Sequence, residues 1–268
     1  MIRLIMPRLI ALVTFVFMLV MNVLATTLPL NGQATNEISD KYDTLFAPIG
    51  FTFAIWGIIY LALGVYTVVQ LVADNSLIRE ITPLFIASNL LNGVWIVTWH
   101  YELLWLSALI IIALLVVLIV INKRTTRQRT DLASSLTIRT PFSIYFGWVT
   151  VATVANISAL LVQAGLGDGF WLSPEAWTIV ILIVAALIGI TTAWVNVSPA
   201  YLVVFVWAYW GILSRHLSPE EWNQQYPGII FTAQVLLALF AVVTIAVFVR
   251  WLRSPKTPLE TTRLRVRS

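Results

Sequence analysis

Residues 103–122 read LLWLSALIIIALLVVLIVIN, twenty residues without a charge, and Lys123 and Arg124 follow at once. A helix rises about 1.5 Å per residue, so this run measures about 30 Å, the thickness of a bilayer's hydrocarbon core. Working outward, comparable runs recur at 8–26, 48–72, 82–100, 140–164, 176–196, 199–214 and 229–251, which makes eight spans. The ten-residue alternation of a membrane β-barrel is not the pattern of these continuous runs. With 60% hydrophobic residues, 10% charged residues and a mean hydropathy of +0.91, no stretch is polar enough to form a separate soluble domain. The sequence therefore predicts an all-α integral membrane protein of about eight transmembrane helices.

The charges support that count. If the chain crosses eight times, Arg3, Arg8, Arg79, Lys123, Arg124, Arg127, Arg129, Arg139, Arg250, Arg253, Lys256, Arg263, Arg265 and Arg267 all fall on one side. Only Lys41 and Arg215 fall on the other, together with eight of the twelve acids. A miscount of one span would scramble this segregation. The positive-inside rule then predicts both termini on the cytoplasmic side, in what we expect to be a bacterial cytoplasmic membrane. The basic tail reads as a topological signal and lipid-surface contact, not as a nucleic-acid site. The first span also has the look of a signal peptide, but it is long and no clean small-x-small cleavage site follows it.

Several chemistries are excluded. The chain has no cysteine, hence no disulfide, thiolate metal site or cysteine nucleophile. The predicted spans contain no ionisable residue of the kind that ion-coupled transporters keep at membrane depth. Lys41, Lys123 and Lys256 lie in connections, so a retinal Schiff base is excluded. His100 and His216 stand at span ends, where they read as interfacial residues, and no metal site is expected.

Three segments are unusual for a membrane interior. In residues 48–64, Trp56, Tyr60 and Gly64 recur at i, i+4, i+8 and share a helix face. In residues 89–99, Asn89, Asn92, Trp95 and Trp99 recur at three- and four-residue steps. In residues 145–156, Tyr145, Trp148, Ala152 and Asn156 line one face. Trp56, Asn92 and Asn156 each lie eight residues from the outer end of their span, about 12 Å below the surface. An amide in hydrocarbon must find a partner, and spacing alone does not choose between a neighbouring helix and a ligand. Trp99, Trp105, Trp171, Trp177, Trp222 and Trp251 fit interfacial belts. Gly57, Gly64, Ala152, Ala155, Ala185, Gly189 and Ala193 read as close helix contacts.

These segments resemble the tryptophan-rich sensory protein family, also called the translocator protein or peripheral benzodiazepine receptor family. Its second-helix pattern is met by Pro48, Phe53, Trp56, Tyr60 and Gly64, its third-helix N-x-x-W by Asn92 and Trp95, and its fifth-helix pattern by Tyr145, Trp148, Ala152, Thr153 and Asn156. Phe51 and Ile49 depart from a family tryptophan and proline, Ile144 replaces a fifth-helix proline, and no tyrosine-then-arginine sterol motif follows Asn156. The resemblance covers residues 1 to about 164, so the expected organisation is a five-helix bundle over 1–164, three additional helices over 165–252 and a basic tail over 253–268.

The resemblance implies a pocket for porphyrins or other flat aromatic ligands between spans one, two, three and five. Trp56, Asn92, Trp95, Trp148 and Asn156 become its residues, with Tyr60, Tyr145 and Ala152 on the same helix faces. The expected function is a membrane receptor or carrier for a flat hydrophobic ligand, with a porphyrin or other tetrapyrrole as ligand and no cofactor required. Two alternatives stand beside it: light-dependent porphyrin degradation, for which Trp56 and Trp148 are the catalytic candidates, and transport of small hydrophobic molecules without ion coupling. Expected partners are the lipid bilayer, the ligand and a second copy in a homodimer.

Overall fold

A computed structural model describes residues 2–28, 30–127, 131–166 and 172–254. The expectations for Arg129, Trp171 and the tail beyond residue 254 lie outside the described residues. The helices are α1 (Ile2–Thr27), α2 (Thr35–Lys41), α3 (Ile55–Val72), α4 (Ser76–His100), α5 (Leu104–Arg127), α6 (Leu132–Ser134), α7 (Thr140–Gln163), α8 (Pro174–Asn196), α9 (Pro199–Leu217) and α10 (Pro227–Arg253). A 3₁₀ turn, Gly50–Ala54, leads into α3, and a π turn, Ser135–Arg139, joins α6 to α7. Among the described residues, eight helical stretches are long and apolar enough to cross a membrane, as the sequence predicts. Helices α1, α3, α4, α5, α7, α8, α9 and α10 make these crossings.

Two spans start earlier than hydropathy suggests. Helix α4 begins at Ser76, capped by the Asn75 side chain, which accepts from the Ile78 N–H at 2.8 Å. The fifth span runs from Leu132 to Gln163. Pro141 brings no N–H to the helix ladder, and the wide turn just before it lets the helix continue through that gap. Helices thus extend past their apolar cores, and the ends bury charges that the sequence reading left in connections. Arg8, Asp74 and Arg215 are all buried. At the end of the bundle that holds the N terminus, Arg8 pairs with Asp74 at 2.6 Å and Arg79 joins them at 3.0 Å.

Helices α1, α4, α5, α7 and α3 pack side by side in that order, and α3 closes the ring on α1. The ring's interior is aromatic: Tyr66 meets Phe142 at 4.8 Å and Phe85 at 5.0 Å. Polar side chains stitch the helices together. Asn22 of α1 donates to Asn92 of α4 at 2.8 Å, and Asn92 donates on to the Tyr145 hydroxyl of α7 at 3.0 Å. Asn89 reaches Thr14 at 3.3 Å, and Asn156 donates to Ser107 of α5 at 2.7 Å.

The last three spans dock through α9, which lies on α7 and on the turn that opens α3, while α8 and α10 pack on α9. Close approach depends on glycines. A Cβ on Gly147 would come within 2.9 Å of the Tyr201 carbonyl oxygen, and one on Gly189 within 2.6 Å of the Phe205 ring. A Cβ on Gly211 would overlap Thr52 Oγ1 and come within 3.0 Å of Pro48 Cβ. Gly189 is therefore a close helix contact as expected; Gly57 is not, because its Cβ would meet nothing within 4 Å. Tyr201 donates to Thr150 at 3.1 Å across the same seam, and Trp207 donates to the Thr52 carbonyl at 2.8 Å. Helix α10 remains the most exposed of the spans, with Phe231, Val242 and Ile245 facing outward.

The seam makes a specific prediction. Gly211→Ala forces Thr52 aside and should cost about 1–3 kcal/mol, the range for an overpacked core. Thr52→Ala removes the clashing atoms, and its hydroxyl has no partner to lose. The double variant should therefore regain most of the lost thermal stability in detergent. Equal melting temperatures for the single and double variants would contradict this packing.

Candidate functional site

Trp56 is the hub of the aromatic constellation. Its ring stacks on Tyr60 at 5.6 Å, lies 5.8 Å from Trp95, and meets Tyr145 and Trp148 edge-on at 6.1 and 6.2 Å. Trp95 stacks on Trp99 at 6.2 Å, and Phe53 meets Trp148 edge-on at 6.0 Å. Offset and edge-on pairs at these separations are the favourable arrangements of rings with a negative face and a positive rim. Helices α3, α4 and α7 each supply members because their aromatic faces turn inward at one level.

Among these rings lies a cavity of about 30 Å³. Pro48, Phe53, Trp56, Trp95, Trp99, Trp148, Val151, Ala152, Ala155 and Asn156 line it, and Thr35 and Ser39 of α2 roof it. Of the eight residues expected at the site, Trp56, Trp95, Trp148, Ala152 and Asn156 line this space. Tyr60 stands behind Trp56. Asn92 and Tyr145 lie behind the wall and bond to each other, and the Asn92 oxygen is taken by Asn22. In this closed arrangement Asn92 cross-links helices.

Hydrogen-bonding capacity is left over around the cavity. Trp95 Nε1, Trp148 Nε1 and Asn156 Oδ1 are buried without a partner, and so is the Tyr60 hydroxyl. Two donors and one acceptor therefore belong to residues lining a single void. An unpaired buried group of this kind costs roughly 1–3 kcal/mol. The void has room for ordered water beside these groups.

The roof is a short amphipathic strap with ties on both sides. The Trp99 indole donates to the Thr35 carbonyl at 3.1 Å, so Trp99 is a buried wall residue and not the interfacial belt residue the sequence suggested. His100 is buried too, its ring nitrogens set against the Ile96 carbonyl at 2.7 Å and Thr35 Oγ1 at 3.4 Å. Lys41 pairs with Glu102 at 2.6 Å, and the Tyr42 hydroxyl donates to the same carboxylate at 2.6 Å. On the far side Arg215 of α9 pairs with Asp40 at 3.3 Å and Glu221 at 3.0 Å. The chain from the roof into α3 is held by α9 as well: His216 faces the Leu45 carbonyl at 2.9 Å, and Ile49 N–H donates to Gly211 at 3.2 Å. Phe51, which stands where the resemblance expects tryptophan, turns to α9 and packs on Trp207 and Trp210.

Sequence reasoning missed Thr35, Ser39, Ser107, Arg215 and His216. Only Trp99 carried a signal, its place on the Asn92–Trp95 face. Thr35, Ser39, Arg215 and His216 depend on what the first connection and α9 bring together, and Ser107 on how α5 packs against α7.

The family model described as TSPO-like protein matches residues 8–247. This chain belongs to the TSPO-like family. The match runs through all eight spans, further than the motif resemblance, which ended near residue 164. No curated protein and no solved structure matches the chain. It is an integral membrane protein of this family, with an aromatic cluster enclosed by α3, α4 and α7 beneath the strap α2.

The strap's ties respond to pH with a definite sign. Hydrogen bonds from Lys41 and Tyr42 hold the Glu102 carboxyl below its ordinary value of 4.5. Burial and the bond to Glu102 push the Tyr42 hydroxyl up to about 12. A carboxyl lowered in the folded state stabilises fully above its ordinary value and loses that contribution as pH falls through the lowered one. Burial raises Asp40, so acid does not loosen the Arg215 side in the same way. Hydrogen exchange corrected for intrinsic rates should show residues 35–41 losing protection as pH drops from about 5 to 3. Glu102→Gln should abolish that dependence; an unchanged profile would show that this tie does not hold the strap.

Proposed function

We propose that this TSPO-like protein is a membrane receptor or carrier that binds a flat hydrophobic ligand, a porphyrin or another tetrapyrrole, among Trp56, Trp95, Trp148 and Asn156. The observation that carries the reading is the unspent hydrogen-bonding capacity around the cavity. Indole N–H groups of Trp95 and Trp148 and the Asn156 oxygen lie buried without partners beside an aromatic-walled void. Tetrapyrroles offer what such a wall lacks: a broad π face for the indoles and peripheral polar groups for the N–H donors. Family membership supports a ligand-binding or transport role in the membrane.

A cavity of about 30 Å³ is far too small for such a ligand, so binding requires opening. The strap α2 is the part able to move. It is only seven residues long, and its Lys41–Glu102 tie is solvent-exposed, where ion pairs contribute little. Lifting it exposes the Trp99 and Trp95 edge, and rotation of Trp56 away from Tyr60 enlarges the space toward α3. The asymmetry of the charges supports placing both termini in the cytoplasm, so the strap faces the opposite side.

Titration of the detergent-solubilised protein with protoporphyrin tests the reading through quenching of tryptophan fluorescence. Trp148→Phe and Trp56→Phe should each weaken binding about three- to tenfold, the value of a stacked aromatic pair. Ala152→Phe should fill the cavity and abolish binding. Asn156→Ala should lower affinity, whereas Asn92→Ala should lower thermal stability by breaking the Asn22–Asn92–Tyr145 chain. Unchanged emission on titration, or wild-type affinity in both tryptophan variants, would overturn the proposal. New absorbing products on illumination would point to the enzyme alternative.

A further inference from the structure

A second site lies at the opposite end of the bundle, around the turn between α8 and α9. Two grooves flank that turn. One, of about 370 Å³, is lined by Leu136, Arg139, Val203, Ile245, Phe248 and Trp251. The other, of about 380 Å³, lies between α5 and α8, with Leu115, Ile119, Lys123, Phe146, Ile188 and Asn196 on its walls. Each dwarfs the tryptophan cavity, and each joins a long apolar wall to a polar mouth. Thr191, Thr192 and Tyr201 add hydroxyls to the second, while Ser143, Ser198 and Thr244 add them to the first.

Two arginines reach the end of α8, and a lysine lines the second groove beside it. Arg139 Nη2 donates to the carbonyls of Asn196 and Val197. Arg250 Nη1 donates to the Trp194 carbonyl at 2.8 Å, and its guanidinium lies 5.2 Å over the Trp194 ring. Lys123 shares the second groove with Asn196. Carbonyls at a helix C-terminus carry only a partial negative charge, roughly half an electron, so they leave most of this positive charge unbalanced. Among the described residues no carboxylate pairs with any of the three. Two acids at this end are engaged elsewhere: Asp74 pairs with Arg8 and Arg79, and Asp131 caps its own helix by accepting from Ser134 N–H, while Glu80 is exposed on α4.

We propose that this turn binds an anionic phospholipid, its phosphate held by Lys123, Arg139 and Arg250 and its acyl chains laid in the two grooves. Charge selects the occupant. A zwitterionic lipid brings its own cation to the headgroup and gains less from three unpaired ones, while basic pockets between membrane helices on one face suit anionic headgroups. Position agrees: Lys123 and Arg250 lie in the last turns of α5 and α10, and Arg139 lies in the π turn that leads into α7. The lipid would then bridge the five-helix ring to α8 and α10 at a place where α5 and α8 barely touch. The site is at the far end of the molecule from the strap, so it stands or falls independently of the tetrapyrrole reading.

Native mass spectrometry on the delipidated full-length chain tests it, with phosphatidylglycerol and phosphatidylcholine of matched chains added in competition. We expect at least about a tenfold preference for phosphatidylglycerol, with a matching rise in melting temperature. Lys123→Gln combined with Arg250→Gln, both on exposed side chains, should erase the preference while the fold is kept. Val203→Trp should block one groove and lower retention with every cation intact. Equal retention of the two lipids, or a preference that survives both variants, would overturn the proposal. Inorganic phosphate raising the melting temperature as much as the lipid does would overturn the lipid assignment.

Discussion

Every polar group buried at membrane depth has to find its partner inside the protein, because lipid offers none. That constraint organises this bundle more than any apolar contact does. Leucine against leucine gains little over leucine against an acyl chain, so helix order has to be specified by something else. Here it is specified by amides and hydroxyls. The relay from Asn22 through Asn92 to Tyr145 ties α1, α4 and α7 together, and Asn156 to Ser107 ties α7 to α5. Each bond contributes about 0.6–2 kcal/mol, but a wrong helix pairing would leave both ends unpaired. The rule has exceptions, among them both amide atoms of Gln70 and Asn89 Oδ1, and three others, Trp95 Nε1, Trp148 Nε1 and Asn156 Oδ1, belong to residues lining the one tryptophan cavity.

The three added helices change what the roof of that cavity can do. Helix α9 reaches across to the segment between the strap and α3 through Trp207, Gly211, Arg215 and His216. Arg215 is almost fully buried yet meets carboxylates from the strap and from the loop before α10. A buried cation that lost these partners would be costly, so this side of the strap is firmly held. The Glu102 side is wetter and weaker. The strap is thus tied on both sides, to α9 through Arg215 and to α4 through Trp99 and the exposed Lys41–Glu102 pair.

Most of the architecture could be read from the chain because hydropathy and charge segregation report on solvent, and here the solvent is lipid. The eight spans needed only hydropathy and charge, and helical spacing gave the shared faces, but that Trp56, Trp95, Trp148 and Asn156 meet at one place was what the family resemblance implied. What could not be read depends on residues distant in sequence. Asn92 and Asn156 sit at similar depth in similar patterns, yet Asn92 spends both its oxygen and its N–H on neighbouring helices, while Asn156 donates to Ser107 and keeps its oxygen unpartnered. Nothing local distinguishes them. Arg215 looked like a residue in a connection because hydropathy marks where apolar character ends, while the helix continues to Leu217. The fifth span looked as if it began near residue 140, and a π turn carries the helix back to Leu132. The size of the cavity is likewise a packing property that composition does not encode.

The closed cavity is also what a lipid-soluble ligand would require of its receptor. A permanently open aromatic pocket in the membrane would fill with acyl chains, the commonest apolar molecules at hand, and its selectivity would be gone. Keeping the indoles packed against one another makes opening cost free energy that a bare hydrocarbon chain cannot return, because it has nothing to offer the orphaned N–H groups of Trp95 and Trp148. A flat ligand with polar edges can return it, by stacking and by hydrogen bonding at once. Discrimination then comes from the difference between two occupants and not from the size of the void. On the proposed reading, a partner within the protein for these donors would remove the penalty that excludes lipid.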